Sequence, residues 1–491
     1  MRFLKKSIAK NYIYNLIYQM LTILLPLITT PYLSRVLGAE PIGIYGYTIS
    51  IVTYFILFGT LGVSMYGQRE IAYLQQDKKG RSKTFWEIVT IRTITLSISI
   101  LLFYLVYGRI GEYAIYYRIL IVQLVANLFD ISWLFQGIEE FDKTVIRNLV
   151  VKLLSLVLIF LVIKTPSDLW KYFAIYVGSE LIGNLTLWLY LPKYLEKIKI
   201  KELELKKHLR PTLSLFVPQI AIQIYTVLDK TMIGVITKDM SEVGYYEQAQ
   251  KIVKAALTAI SALQLVMNSR IASAYAENNK EEVKECLKKS FNFVWFLATP
   301  MMFGLIAVAK NFVPLFYGDG FEGVTPILIS TAPILLAIGL NGVTGVQYLV
   351  QIGKQNIFTI SVTIGAIVNL ILNIILIHYF KGVGAAIASV IAELVIFGIQ
   401  LRYFREQFRI IEILELSVKC IISGIIMFIV VITITKYMPV SVINTAIQIL
   451  TGAIVYVLML IILKYSFLKD LYGQILGGIK NKLGGYKNAK S

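Results

Sequence analysis

The sequence predicts an all-α integral membrane protein with fourteen transmembrane helices, and three observations carry that reading. Of 491 residues, 57% are hydrophobic and 16% charged, with a mean hydropathy of +0.70; soluble domains carry about 25% charged residues. Apolar runs near or above about 18 residues, long enough to cross a bilayer, recur from Tyr12 to Leu463 between short charged loops. Lysine and arginine concentrate on one side of that series, as they do in cytoplasmic loops.

Windows of about 20 apolar residues place the first six spans near 12–34, 42–66, 85–108, 114–136, 145–163 and 170–191. Eight more follow near 212–236, 248–274, 290–309, 326–351, 357–379, 382–402, 416–435 and 443–465. One missed span would swap the side of every later loop, so the basic residues test the count. About 32 of the 48 fall on the side of the N-terminus, about 8 in opposite loops and about 8 within spans. Both termini are therefore expected in the cytoplasm, in a multi-pass protein of the cell membrane. The N-terminal basic stretch leads into a first span without a small-residue cleavage site, so no removable signal is expected. The segment Pro192–Pro211 carries seven basic residues alternating with apolar ones and reads as an interfacial linker against lipid headgroups.

Several classes are excluded. Cys286 and Cys420 form no CxxC, and His208 and His378 are the only histidines, so no metal site or disulfide framework is expected. The net charge of +19 follows membrane topology, so no nucleic acid is expected as a partner. No GxxxxGK[ST] loop is present, which leaves direct ATP hydrolysis unsupported. No external loop exceeds about 17 residues, which leaves no room for a soluble catalytic domain; no cofactor and no enzymatic activity are expected.

The chain reads as duplicated. "EPIGIYGY" from Glu40 resembles "EVGYYEQA" from Glu242, with Gly43 and Gly244 201 positions apart. "VGSELIG" from Val177 and "VIAELVI" from Val390 put Glu180 and Glu393 213 positions apart. Two parallel six-helix repeats around a central cavity follow, an N-lobe over 1–205 and a C-lobe over 206–410. Segment 411–491 adds two helices and a basic cytoplasmic tail.

"YLSRVLGAEPIGIYGY", "LDKTMIG…EVGYYEQAQKI" and "GVGAAIASVIAEL" together resemble the polysaccharide transporter family, the repeat-unit flippases of the multidrug/oligosaccharidyl-lipid/polysaccharide (MOP) exporter superfamily. The resemblance spans essentially the whole chain. It implies movement of an undecaprenyl-diphosphate-linked oligosaccharide from the inner to the outer leaflet by alternating access, for capsule, O-antigen or other surface polysaccharide. The implied partners are that polyprenyl diphosphate cargo, membrane lipids and other polysaccharide-assembly proteins.

An ionisable group in hydrocarbon costs about 3 kcal/mol or more and needs a partner or a wet cavity. Arg92, Lys152, Lys230, Lys251, Lys254 and Arg270 are the cationic candidates. All but Lys230, which needs a partner of its own, are matched to diphosphate or acidic-sugar contacts, because Arg and Lys bind phosphate oxygens strongly. Each has a plainer alternative: Lys152 and Arg270 can snorkel, and Arg92 can pair with a neighbouring carboxylate. Polar stripes at helical spacing, Asn11, Asn15 and Gln19 in the first span and Gln219, Gln223, Thr226 and Lys230 in the seventh, would line the cavity or hold the bundle together. Asp229 and Lys230 point about 100° apart and need separate partners. Glu180, Asp229 and Glu393 are expected to serve packing or ion coupling, and Asp130 packing. Two transport alternatives remain, a flippase for the peptidoglycan precursor and a multidrug or cation antiporter of the same superfamily.

Overall fold

The computed structural model describes residues 25–405 and 410–468. Every regular element among them is helical. Helix α1 occupies 25–37, followed by α2 (Ala39–Thr60), α3 (Val63–Tyr73), α4 (Lys78–Phe103), α5 (Ala114–Leu128), α6 (Ser132–Gly137), α7 (Phe141–Val162), α8 (Leu169–Trp188) and the short α9 (Leu191–Tyr194). Then come α10 (Lys206–Thr237), α11 (Met240–Ala276), α12 (Lys280–Tyr317), α13 (Val324–Thr331), α14 (Ile334–Asn341), α15 (Gln355–Phe404), α16 (Ile410–Thr435) and α17 (Val442–Ile462). Ten helical stretches among the described residues are long and apolar enough to cross a membrane, by length and composition.

Local chemistry sets the boundaries. Asp77 caps α4 by accepting the Gly80 amide at 2.9 Å, and Ser441 caps α17 by accepting the Asn444 amide at 3.1 Å. Between α2 and α3, Leu61 and Gly62 take positive φ of 47° and 74°, bending one hydrophobic stretch into two helices. The 50 residues of α15 would run about 75 Å if straight, more than twice the hydrocarbon thickness; the chain breaks at Lys381 (φ 49°, ψ −128°). Prolines act unequally: Pro300 lies inside an unbroken α12, whereas Pro333 stands at the N-cap of α14 and parts it from α13. A π-helical segment, Gly342–Val350, extends α14.

The described chain forms two compact units: residues up to Glu247 with Tyr317–Phe321, and Gln248–Phe316 with the residues from Glu322 onward. In the first, α5 packs on α8 and α2 on α4, over a core that includes Val63, Phe85, Ile88, Trp133, Phe135 and Leu187. Trp133 stacks on Phe85 at 5.4 Å and lies against Gly67, where a Cβ would stand 2.5 Å from the indole. Leu153, Leu154, Val157, Leu158 and Leu161 of α7 are exposed, as a lipid-facing surface requires.

The two glycines of the duplicated motif meet. A Cβ on Gly43 would stand 1.6 Å from the Met240 carbonyl oxygen and 2.9 Å from the Gly244 nitrogen; one on Gly244 would stand 2.1 Å from the Ala39 carbonyl oxygen. Helices α2 and α11 therefore touch backbone to backbone at matching positions, an approach that small residues permit.

In the second unit α16 packs on α17, and α13 and α14 on α15. A buried polar network stitches this unit: Asn341 donates to the carboxylate and the carbonyl of Glu393, Thr344 donates to Gln400, and Gln400 donates to Ser361 at 3.0 Å.

Candidate functional site

Within the first unit, α10 and α11 bring two consecutive pairs of polar residues together. Lys230 Nζ lies 2.9 Å from Glu247 Oε2, with the side chains 14% and 18% exposed. One position earlier, the buried Asp229 accepts from the Tyr246 hydroxyl. Helix α2 extends the cluster through Thr231, whose hydroxyl bonds Ser50 at 2.8 Å and Tyr54 at 3.1 Å. Aromatic rings wall it: Tyr45 packs against Tyr172 at 4.7 Å, Phe173 at 5.1 Å and Tyr176 at 5.8 Å. The Glu247 carboxylate lies near the phenols of Tyr45, Tyr172, Tyr176 and Tyr317.

This cluster holds two carboxylates, one ammonium and a set of phenols. It offers hydroxyl donors and acceptors with flat apolar faces between them. Its formal charge is not positive, so it suits a hydroxyl-rich ligand better than a bare phosphate.

The remaining cationic candidates divide. Arg92 is 2% exposed and spends its guanidinium on Asp130, with Nη1 donating to the backbone carbonyl at 2.9 Å and Nη2 lying 3.8 Å from the carboxylate. It thereby fixes α4 to the break between α5 and α6. Arg270 pairs with Glu282 at 3.1 Å on an exposed surface. Lys152 and Lys251 are half-buried and Lys254 is exposed; the Thr258 hydroxyl bonds the Lys254 carbonyl at 2.9 Å. Gln223 is exposed. Asn11, Asn15 and Gln19 lie outside the described residues, as do the side chains of Gln219 and Thr226. Glu180 is half-buried, with Gln123, Asp130 and Arg147 around it. Glu393 is held by Asn341 in the second unit.

Several residues escaped the sequence. Glu247 lies inside the quoted "EVGYYEQA" motif, and Tyr45 inside "EPIGIYGY"; the motifs marked the duplication but not the side chains that turn inward. Arg147 donates to Asn184, which passes the contact to the Ala126 carbonyl at 2.7 Å. His208 is 3% exposed, between the Tyr66 hydroxyl at 2.7 Å and Glu87 at 2.8 Å. Glu87 also meets Lys207 at 3.0 Å and accepts the Glu204 amide at 2.7 Å, anchoring the basic linker to α4. In the second unit, α12, α16 and α17 line an apolar groove of about 340 Å³ that includes Leu305, Phe312, Met427, Val431 and Ile449.

Comparison with known proteins adds the family. A family model described as "Polysaccharide biosynthesis protein" matches residues 8–267, more than half of the chain. Another, described as "Lipid II flippase MurJ", matches residues 180–459. A protein named "Putative O-antigen transporter" from Escherichia coli (strain K12) is 25% identical over 406 residues, covering 82% of this chain and 97% of the relative. "Probable low-salt glycan biosynthesis flippase Agl15" from Haloferax volcanii is 23% identical over 168 residues, 34% of this chain and 35% of the relative. The fold is similar to that of the lipid II flippase MurJ in an inward closed conformation, with a TM-score of 0.75 at 18% identity over 94% of this chain and 100% of that one. It is also similar to an inward-facing multidrug resistance MATE family transporter of the MOP superfamily, with a TM-score of 0.64 at 18% identity over 82% of this chain and 98% of that one. An all-helical chain of this kind, matched by that family model over more than half of its length, belongs to the polysaccharide biosynthesis protein family.

Proposed function

We propose that this protein is a flippase for lipid-linked oligosaccharides, carrying the polyprenyl-diphosphate-linked repeat unit of a surface polysaccharide from the inner to the outer leaflet. The observation that carries the reading is the Lys230–Glu247 pair, set among tyrosines inside a hydrophobic helical unit. Such a cluster is costly in a membrane protein unless polar cargo passes it, and tyrosine faces with charged hydrogen-bonding groups between them are the chemistry of a sugar path.

The remaining assignments form one scheme. Fourteen spans are arranged as an N-lobe over 1–205, a C-lobe over 206–410 and an appended pair over 411–491, in the cell membrane with both termini cytoplasmic. Lys152, Lys251 and Lys254 take the diphosphate; Asn15, Gln19, Gln219 and Gln223 take sugar hydroxyls. Lys230 contacts cargo through its exchange between Glu247 and the sugar. Arg92 and Arg270 act through their carboxylate partners, and Glu180, Asp229 and Glu393 hold helices together. The polyprenyl tail stays against hydrocarbon. Rocking of the two lobes exposes the cargo outward, with no chemical step on the cargo.

The test is reconstitution in vesicles with a labelled lipid-linked oligosaccharide, scoring leaflet exchange with and without an imposed ion gradient. Exchange above protein-free vesicles is expected, slowed at least about tenfold, one lost charge-assisted hydrogen bond, by Glu247→Gln or Lys230→Gln with insertion intact. Absence of exchange for the intact protein would overturn the reading. The match to the lipid II flippase model over residues 180–459 favours one second reading, a peptidoglycan-precursor flippase. Exchange of lipid II in place of the oligosaccharide would select it.

A further inference from the structure

The ends of five elements enclose a second recess in the first unit, apart from the Lys230–Glu247 cluster. Its volume is about 290 Å³, near the lower end of the roughly 300–1,000 Å³ of small-molecule sites. Tyr47 of α2, Tyr107 in the π-helical turn Tyr104–Gly108 that follows α4, Tyr117 of α5 and the turn Ile110–Tyr113 form one side; Gly234 and Lys238 at the end of α10, with Met240 of α11, form the other. On the proposed topology, all of these ends lie on the outer face of the membrane.

The recess is built. A Cβ on Gly234 would stand 2.4 Å from the Tyr47 ring, so glycine there is what lets the ring lie against α10. Tyr47 meets Tyr113 edge-on at 6.3 Å, and Tyr107 packs against Tyr117 at 5.0 Å. Arg118 staples the turn in place, Nε donating to the Gly108 carbonyl at 2.8 Å and Nη2 to the Arg109 carbonyl at 3.1 Å. Burial and the adjacent Glu112 carboxylate push the Tyr113 phenol up to about 12, so it remains a hydroxyl donor at any physiological pH.

We propose that this recess is a saccharide-binding site, seating one neutral pyranose ring of the glycan as it leaves on the outer side. The tyrosine rings present electron-rich faces to the polarised C–H groups of a sugar. Glu112 accepts from hydroxyls and Lys238 donates to them, both as charge-assisted hydrogen bonds. The charges near the recess balance, Glu112 and Glu40 beside Tyr113 against Lys238 and the Arg118 guanidinium on the turn, so no net positive charge draws a phosphate or a uronate and a neutral sugar is favoured. The phenols and charges disfavour a hydrocarbon chain, and the volume limits occupancy to a ring of roughly pyranose size. This inference deepens the transport reading and rests on it for the source of the sugar.

Saturation-transfer NMR on the full chain in lipid nanodiscs tests it, with methyl glycosides of glucose, galactose and N-acetylglucosamine as probes and glucuronate as the anionic comparison. Transfer to at least one neutral glycoside is expected. It should weaken about tenfold in Tyr113→Ala and in Glu112→Gln combined with Lys238→Gln, the latter two being exposed turn positions whose exchange leaves packing intact. No transfer to any neutral glycoside, transfer to glucuronate alone, or transfer unchanged in both variants would overturn the site. The vesicle experiment fails independently: sugar binding without leaflet exchange retires the transport reading and leaves the site standing, whereas exchange without sugar binding retires the site alone.

Discussion

At the scale of single residues, the buried arginine and the loop aspartate make opposite demands on chemistry. Arg92 donates from one arm of its fork to the Asp130 carbonyl and faces the carboxylate with the other. Lysine keeps the charge but cannot supply both arms, so Arg92→Lys should lower stability by about 1.5–3 kcal/mol. Thermal unfolding in detergent checks this. Exchange per folded molecule should hold, and its collapse at unchanged stability would assign Arg92 to the cargo instead. Asp168 accepts the Lys164 and Thr165 amides at 2.8 and 2.9 Å. The Lys171 ammonium, more than those amides, holds its carboxyl well below the usual carboxylate range. A depressed value means that the ionised form favours the fold. Its contribution is complete above about pH 3.9, the unfolded value, and is lost as pH falls through the folded one. Amide exchange at Lys164 and Thr165, corrected for its intrinsic pH dependence, should lose protection only in acid, and Asp168→Asn should remove that dependence.

Sequence reading at this scale found individual charges and missed their partners. Asp229 and Lys230 stood out as charges in an apolar span and were expected to need separate partners, which Tyr246 and Glu247 supply. Those partners were not readable, because helical periodicity gives the relative direction of side chains on one helix and nothing about its rotation against the next. The same gap hid His208: too few histidines for a metal site said nothing of a hydrogen-bonded one.

At the scale of elements, the contact of Gly43 with Gly244 makes a sharp demand. Ala at either position places a methyl inside the van der Waals radius of a backbone carbonyl, so α2 and α11 must part. Overpacking of this kind costs about 1–3 kcal/mol. Gly43→Ala and Gly244→Ala should each lower thermal stability, and the double variant should cost less than the two separately, because one displacement accommodates both methyls. A double-mutant cycle with additive losses would refute the shared contact. Here the repeated motif located the two glycines, and the fold revealed that they touch. The break expected between spans ending near 379 and starting near 382 falls at Lys381, whereas α4 starts at Lys78, ahead of the span expected from about 85, because its first turns are charged and amphipathic.

At the scale of the whole molecule, the proposed topology predicts accessibility. With Cys286 and Cys420 replaced by serine, Ile110→Cys, at a position 90% exposed, should react with a membrane-impermeant maleimide in intact cells. Lys201→Cys in the basic linker should react only after permeabilisation. The reverse pattern would invert the protein and move the tyrosine recess to the cytoplasmic side.

Hydropathy and charge asymmetry by themselves determined that this chain is a helical membrane protein, and the ordered motifs added its family, because burying apolar length and placing basic loops are properties of the chain in one dimension. The residues that meet were decided only by the tertiary structure. Whether a charge in an apolar span meets a carboxylate at a helix break, as with Arg92, or one walled by tyrosines, as with Lys230, depends on how helices rotate and cross, and those angles come from side-chain packing across many turns.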